Sequence, residues 1–213
     1  MHLVLLLTTV GFVLGLLGHQ LLSRLSRGAR VHKGWCAGGV AALWAVAGWR
    51  AASGHLPWWW LPIPLVAAWF AVLLTVVDLK HRRLPNVLTW SAYPATAAAI
   101  AVAATRAGWQ LAESALLGAM ALATLYLAIH TLAPRAMGAG DVKLSGSQGA
   151  ILGAVGWPAV LVGTTLAALL TLALKAVAPR RVARTWQSGV PHGPALLTAT
   201  YTIATFTVTR TPP

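Results

Sequence analysis

Acidic side chains are almost missing from this sequence: Asp78, Glu113 and Asp141 are the three carboxylates in 213 residues. Cysteine is missing but for Cys36, so neither an intrachain disulfide nor a Cys-x-x-Cys metal site can form. Charged residues of either sign make up 9% of the chain against 58% hydrophobic, with mean hydropathy +0.72. A soluble domain this short could not hide so much apolar surface from water, which leaves lipid as the solvent. No Ser/His/Asp spacing stands out, and Cys36 lies on an apolar stretch without a base. His81 and His130 have no metal-ligand partner at helical spacing and read as polar interface groups; neither metal nor cofactor is expected.

What is present is a series of Ala/Leu/Val/Trp stretches near the roughly 20 residues that a spanning helix needs. They predict an all-α fold, a polytopic membrane helical bundle of about eight transmembrane helices near 3–22, 35–49, 57–77, 87–105, 111–133, 141–156, 159–177 and 191–210. The chain reads as one integral membrane domain over 1–213. The first stretch has no basic region before it and no small-x-small cleavage site, and its positive charges follow it, so it is expected to be a retained span rather than a signal peptide. The second and sixth spans are the weakest, the sixth being polar and glycine-rich at its start.

The formal charge of +13 could suggest nucleic acid, but the basic residues sit in the breaks between spans rather than in a soluble patch, so no nucleic-acid partner is expected. With the N-terminus outside, every Lys and Arg except Arg50, Arg106 and Arg210 falls on the cytoplasmic side, as the positive-inside rule requires. The run Arg180–Arg184 then reads as a loop contacting anionic lipid, Trp157-Pro158 as an external turn, and Trp58–Trp60 as an interfacial aromatic belt. Glu113, at the outer start of span five, suits a helix N-terminus.

The remaining acids carry the chemistry, because a carboxylate at a span boundary is costly enough to count as functional. Asp78 ends span three on the cytoplasmic side. Two crossings later Asp141 starts span six at the same face. Two carboxylates brought close share a proton, one activating water while the other polarises a carbonyl, which is aspartyl-protease chemistry. The helix dipoles suggest Asp141 as the ionised partner and Asp78 as the protonated one. Asp141 follows Gly138-Ala139-Gly140, which permits a tight turn and close backbone approach, and Leu84-Pro85-Asn86 restarts the chain into span four.

These stretches, D-x5-L-P-N-x-L-T from Asp78 to Thr89 and G-A-G-D-V-K-L from Gly138 to Leu144, resemble the paired motifs of the type IV prepilin peptidases, which are GxGD aspartyl peptidases. Weaker matches are Gly149-Ala150 with Gly153, and Pro191-His192-Gly193-Pro194, similar to the family's Pro-Phe-Gly-Pro. The resemblance covers roughly 57–210, the expected peptidase core. It implies a membrane aspartyl endopeptidase that removes the basic leader from prepilin or pseudopilin substrates at the cytoplasmic face of the cell membrane, cutting usually after a glycine and before the apolar helix. By position, Asp78 and Asp141 would be the catalytic pair. Gly138, Gly140, Lys143, Pro85 and Asn86 would shape the site or bind substrate. The expected partners are the substrate helix and membrane lipid. The cysteine-bearing insert that many members carry after span one is reduced here to Ser23–Gly34, so neither methyltransferase activity nor zinc is expected.

Other readings compete. Asp78 could form a boundary ion pair with Arg82 or Arg83, and Lys143 could steer substrate, hold charge balance or simply anchor span six. A proton- or ion-coupled transporter also uses membrane carboxylates, but near mid-bilayer and in broken helices. A signal-peptide-peptidase-like protease would have Tyr-Asp where Val77-Asp78 stands.

Overall fold

The computed structural model describes residues 1–24, 32–81, 84–134, 137–178 and 191–208. Among them run eight helices and no strands: α1 (His2–Arg24), α2 (Lys33–Ala52), α3 (Pro62–His81), α4 (Asn86–Ala107), α5 (Trp109–Leu132), α6 (Ala139–Val155), α7 (Trp157–Val177) and α8 (Gly193–Phe206). Arg27, Arg30, Arg82, Arg83, Arg135, Arg180, Arg181, Arg184 and Arg210 lie outside the described residues, and with them the lipid-contacting loop and the ion-pair reading of Asp78.

Every expected span coincides with a helix, and α1, α3, α4, α5 and α7 are long and apolar enough to cross a membrane. The others need the bundle around them. α6, with 17 residues, and α8, with 14, would reach about 26 Å and 21 Å at the α-helical rise, short of a hydrocarbon core of roughly 30 Å. Their side chains are mostly buried inside the protein, where a short or polar helix is tolerated.

The chain runs up and down, and two of its reversals consist of one glycine each. Gly108, at φ 92°, joins α4 to α5, and Gly156, at φ 136°, joins α6 to α7; side chains rarely adopt such angles. The second turn is therefore one residue earlier than Trp157-Pro158, which open α7. Between α5 and α6 the backbones touch: a methyl placed on Gly118 would meet the Gly149 carbonyl oxygen at 2.5 Å and the Gly153 Cα at 2.6 Å. Small residues that let two backbones meet are the usual device for packing helices in lipid.

Three sequence expectations shift. α3 starts at Pro62 rather than near 57, because residues 58–61 form a turn. The tryptophans of that turn are not a uniform belt: Trp58 is 67% exposed and lies beneath the Arg106 guanidinium, whereas Trp60 is 1% exposed and its Nε1–H donates to the Ala204 carbonyl at 2.8 Å. Glu113 lies beyond the first turn of α5, so it does not occupy the helix start.

At that same end of the bundle Arg50 donates to the carbonyls of Thr205 and Phe206, at 3.2 and 3.3 Å, and its guanidinium lies over the Phe206 ring. A cation there meets the otherwise unpaired carbonyls of α8's last turn. α8 is thus fastened at this end by α2 and by the Trp60 turn.

Candidate active site

The opposite end of the bundle gathers the last turn of α3, the start of α4 and the first turns of α6 and α8. α3 continues to His81, so Asp78 sits inside its last turn rather than closing it. Asp78 is 6% exposed and Asp141 is 9% exposed.

Gly138 is the N-cap of α6, in extended conformation at φ −73° and ψ 144°, which makes Asp141 the third helical residue. A carboxylate at that position can reach back to the N-cap backbone N–H. Here the Gly138 backbone does hydrogen-bond to Asp141, and so does that of Gly193, the first residue of α8. The Asp141 carboxylate therefore receives N–H groups from two helix N-termini, an arrangement suited to an anion.

Gly193 also lies between the acids. A methyl placed on it would stand 3.1 Å from Asp78 Oδ2 and 3.3 Å from Asp141 Oδ1. The two carboxylates thus face one gap lined by the backbone of a third helix, and any larger residue at 193 would enter it.

The other expected residues form the rim. Pro85 is buried and is the N-cap of α4; its carbonyl accepts from the N–H groups of Leu88 and Thr89 at 3.0 and 3.1 Å. Asn86, exposed, accepts at its Oδ1 from Lys143 Nζ at 3.0 Å, and the Tyr93 hydroxyl donates to the Lys143 carbonyl at 2.8 Å. The start of α4 is thus laced to the first turns of α6. Gly140 faces Leu84, whose Cβ and Cδ1 would both lie 3.3 Å from a methyl on it. Glu113 is on the far end of α5, away from the pair.

Leu84 and Gly193 stand within the sequence motifs but have no site role assigned by them. A methyl on Gly140 or on Gly193 would meet Leu84, at 3.3 and 3.6 Å, so this side chain lies beside both helix starts. The signal for Gly193 was the Pro-His-Gly-Pro stretch before the last span, which carried no assigned role. His130, read as a polar interface group, accepts a more definite one. Its Nδ1 lies 2.8 Å from the Met137 carbonyl, which can only accept, so Nδ1 carries the proton and braces the residue before Gly138. Among the described residues no group of three or more His, Cys, Asp or Glu side chains could hold a metal ion.

Fold and site together define a multi-pass helical membrane protein with two buried aspartates facing one gap at one end of its bundle. The model of the type IV leader peptidase family matches residues 65–174, which run from α3 to α7 and include both aspartates. That is just over half of the chain, which belongs to this family and is a peptidase. No curated protein and no solved structure matches it.

Proposed function

We propose that the protein is an aspartyl endopeptidase whose Asp78 and Asp141 remove the basic leader from a prepilin- or pseudopilin-like substrate at the cytoplasmic face of the cell membrane. The observation that carries this reading is the facing of two buried carboxylates across Gly193. Carboxylates this close hold one proton between them. The ionised member of the pair takes a proton from water, and the N–H groups that α6 and α8 turn on Asp141 would stabilise the negative charge when it rests there. Asp78, near the carbonyl end of α3, suits the protonated role and donates to the scissile carbonyl. Water adds to that carbonyl carbon, the tetrahedral intermediate collapses, and the departing amine takes a proton from the pair.

Charge supports the proposed membrane orientation. The basic breaks next to the site end, with Lys80 and Lys143 among the described residues, favour the cytoplasm for that end and the outside for the N-terminus. A substrate whose basic leader meets an apolar helix at this boundary would present its scissile bond at the depth of the aspartates. A transporter would want carboxylates in mid-helix; Asp78 and Asp141 occupy a last and a first turn. The peptidase core spans about 57–210, since α8 supplies Gly193.

Co-expression with candidate prepilins, followed by gel shift and N-terminal sequencing, tests the reading. Leader removal is expected with the unaltered chain and not with Asp78→Ala or Asp141→Ala. Processing by both variants would end the proposal.

A further inference from the structure

His192 is the N-cap residue of α8, directly before Gly193. Its two ring nitrogens meet side chains from two other helices: Nε2 lies 2.7 Å from the Tyr126 hydroxyl on α5, and Nδ1 lies 2.8 Å from Thr171 Oγ1 on α7. Tyr126 is buried, so its hydroxyl has no ready water to turn to.

The directions of these bonds can be worked out. Thr171 donates its one hydroxyl proton to the Ala167 carbonyl at 2.8 Å. Its oxygen must therefore accept from His192, which puts the imidazole proton on Nδ1. Nε2 is then a lone-pair acceptor, and Tyr126 O–H donates to it. The result is a one-way chain, Tyr126 to His192 to Thr171 to Ala167, satisfied by a single neutral tautomer.

This chain fixes the peptide plane on which the site depends. The His192 carbonyl and the Gly193 N–H belong to the same planar unit, and that N–H is the one α8 turns on Asp141. The His192 carbonyl accepts from Leu196 N–H at 3.0 Å, tying the plane to the helix behind it. A shift of the His192 backbone, which the two ring bonds resist, would move the donor at the carboxylate and the Cα between the two acids.

We infer that His192 is a positioning residue for the aspartate pair, holding the Gly193 N–H on the Asp141 carboxylate through its paired hydrogen bonds to Tyr126 and Thr171. The inference rests on the peptidase reading above. Catalytic geometry is sensitive to displacements of about 1 Å, worth roughly 10²-fold in rate.

The test uses purified full-length protein in liposomes and a synthetic reporter of basic leader, glycine and apolar helix. His192→Phe keeps a ring of similar shape, leaves the Tyr126 hydroxyl without its acceptor and cuts the tie to Thr171, and should lower kcat about 10²-fold with KM changed less than about threefold. Tyr126→Phe, which deletes one hydroxyl and leaves the packing, should lower kcat about tenfold. His192→Gln, whose side-chain amide can still reach Tyr126, should recover part of the loss. A second readout needs no cleavage: the infrared band of the protonated carboxyl that Asp78→Asn or Asp141→Asn removes should shift in both His192→Phe and Tyr126→Phe. Unchanged kcat and an unmoved band in Tyr126→Phe and His192→Phe would overturn the inference, as would a loss that tracks thermal stability without rescue by Gln. If the aspartate variants cleave as well as the unaltered chain, the peptidase reading fails instead, and the band shift alone decides whether His192 positions the pair.

Discussion

Helices α3 and α7 have the same mean hydropathy, 2.0, yet 61% of the spanning window of α3 is buried inside the protein and only 17% of that of α7. α7 presents Leu161, Val162, Leu169 and Leu172 outward, as a helix facing acyl chains would. α3 is enclosed by its neighbours, and near its end it holds a carboxylate that lipid would not tolerate. The difference teaches that apolarity reports the solvent and not the depth of a helix in the bundle. In lipid the inside is distinguished by small and polar residues: Ser145, Ser147 and Gln148 on α6 and Thr200 on α8 are all buried, and α6 meets α5 through Gly149 and Gly153.

The comparison predicts unequal responses to substitution. The largest effect falls on the enclosed carboxylates: Asp78→Asn or Asp141→Asn should lower the cleavage rate by about 10³-fold or more, while a thermal melt in detergent stays cooperative. Next is Gly193→Ala, whose methyl would crowd both acids. Cleavage of a reporter should fall about 10²-fold with little change in stability, because no packed side chain is displaced.

Gly118→Ala should separate packing from chemistry. It pushes a methyl onto backbone atoms of α6 and should cost about 1–3 kcal/mol, seen as a lower unfolding midpoint. Gln148→Leu should act in the opposite sense. Among the described residues its buried Oε1 has no hydrogen-bond partner, and removing an unsatisfied acceptor should raise the midpoint by an amount on the order of 1 kcal/mol. The smallest effect belongs to the outer ring, where Leu161→Ala or Leu172→Ala should change stability by no more than about 0.5 kcal/mol and leave cleavage unchanged. A cost at Leu172 like that at Gly118 would break the distinction between enclosed and lipid-facing helices.

Much of the architecture was legible because hydropathy and loop charge act locally. Five helices follow from apolar length, while α6 is weakly marked, since its first turns are polar and glycine-rich. The late start of α3 was not legible, because burial of Trp60 depends on a carbonyl at Ala204, far along the chain. The aspartate pair was legible from the even number of crossings between Asp78 and Asp141. The gap they face was not. It is completed by Gly193, which comes from a helix beyond α7, and by Leu84, whose role depends on two glycines from different helices. Lys143 looked equally suited to substrate, charge balance or anchoring, and its bond to Asn86 adds a further task, joining α4 to α6.

The most direct test of the paired-aspartate account is the cleavage rate of Asp78→Asn, Asp141→Asn and the double variant, measured side by side on one reporter in liposomes. If the carboxylates share one proton and one gap, each single variant should be as inactive as the double, because groups that act as a unit are not additive. A single variant keeping more than about a tenth of the unaltered rate, or losses that multiply in the double variant, would contradict the account.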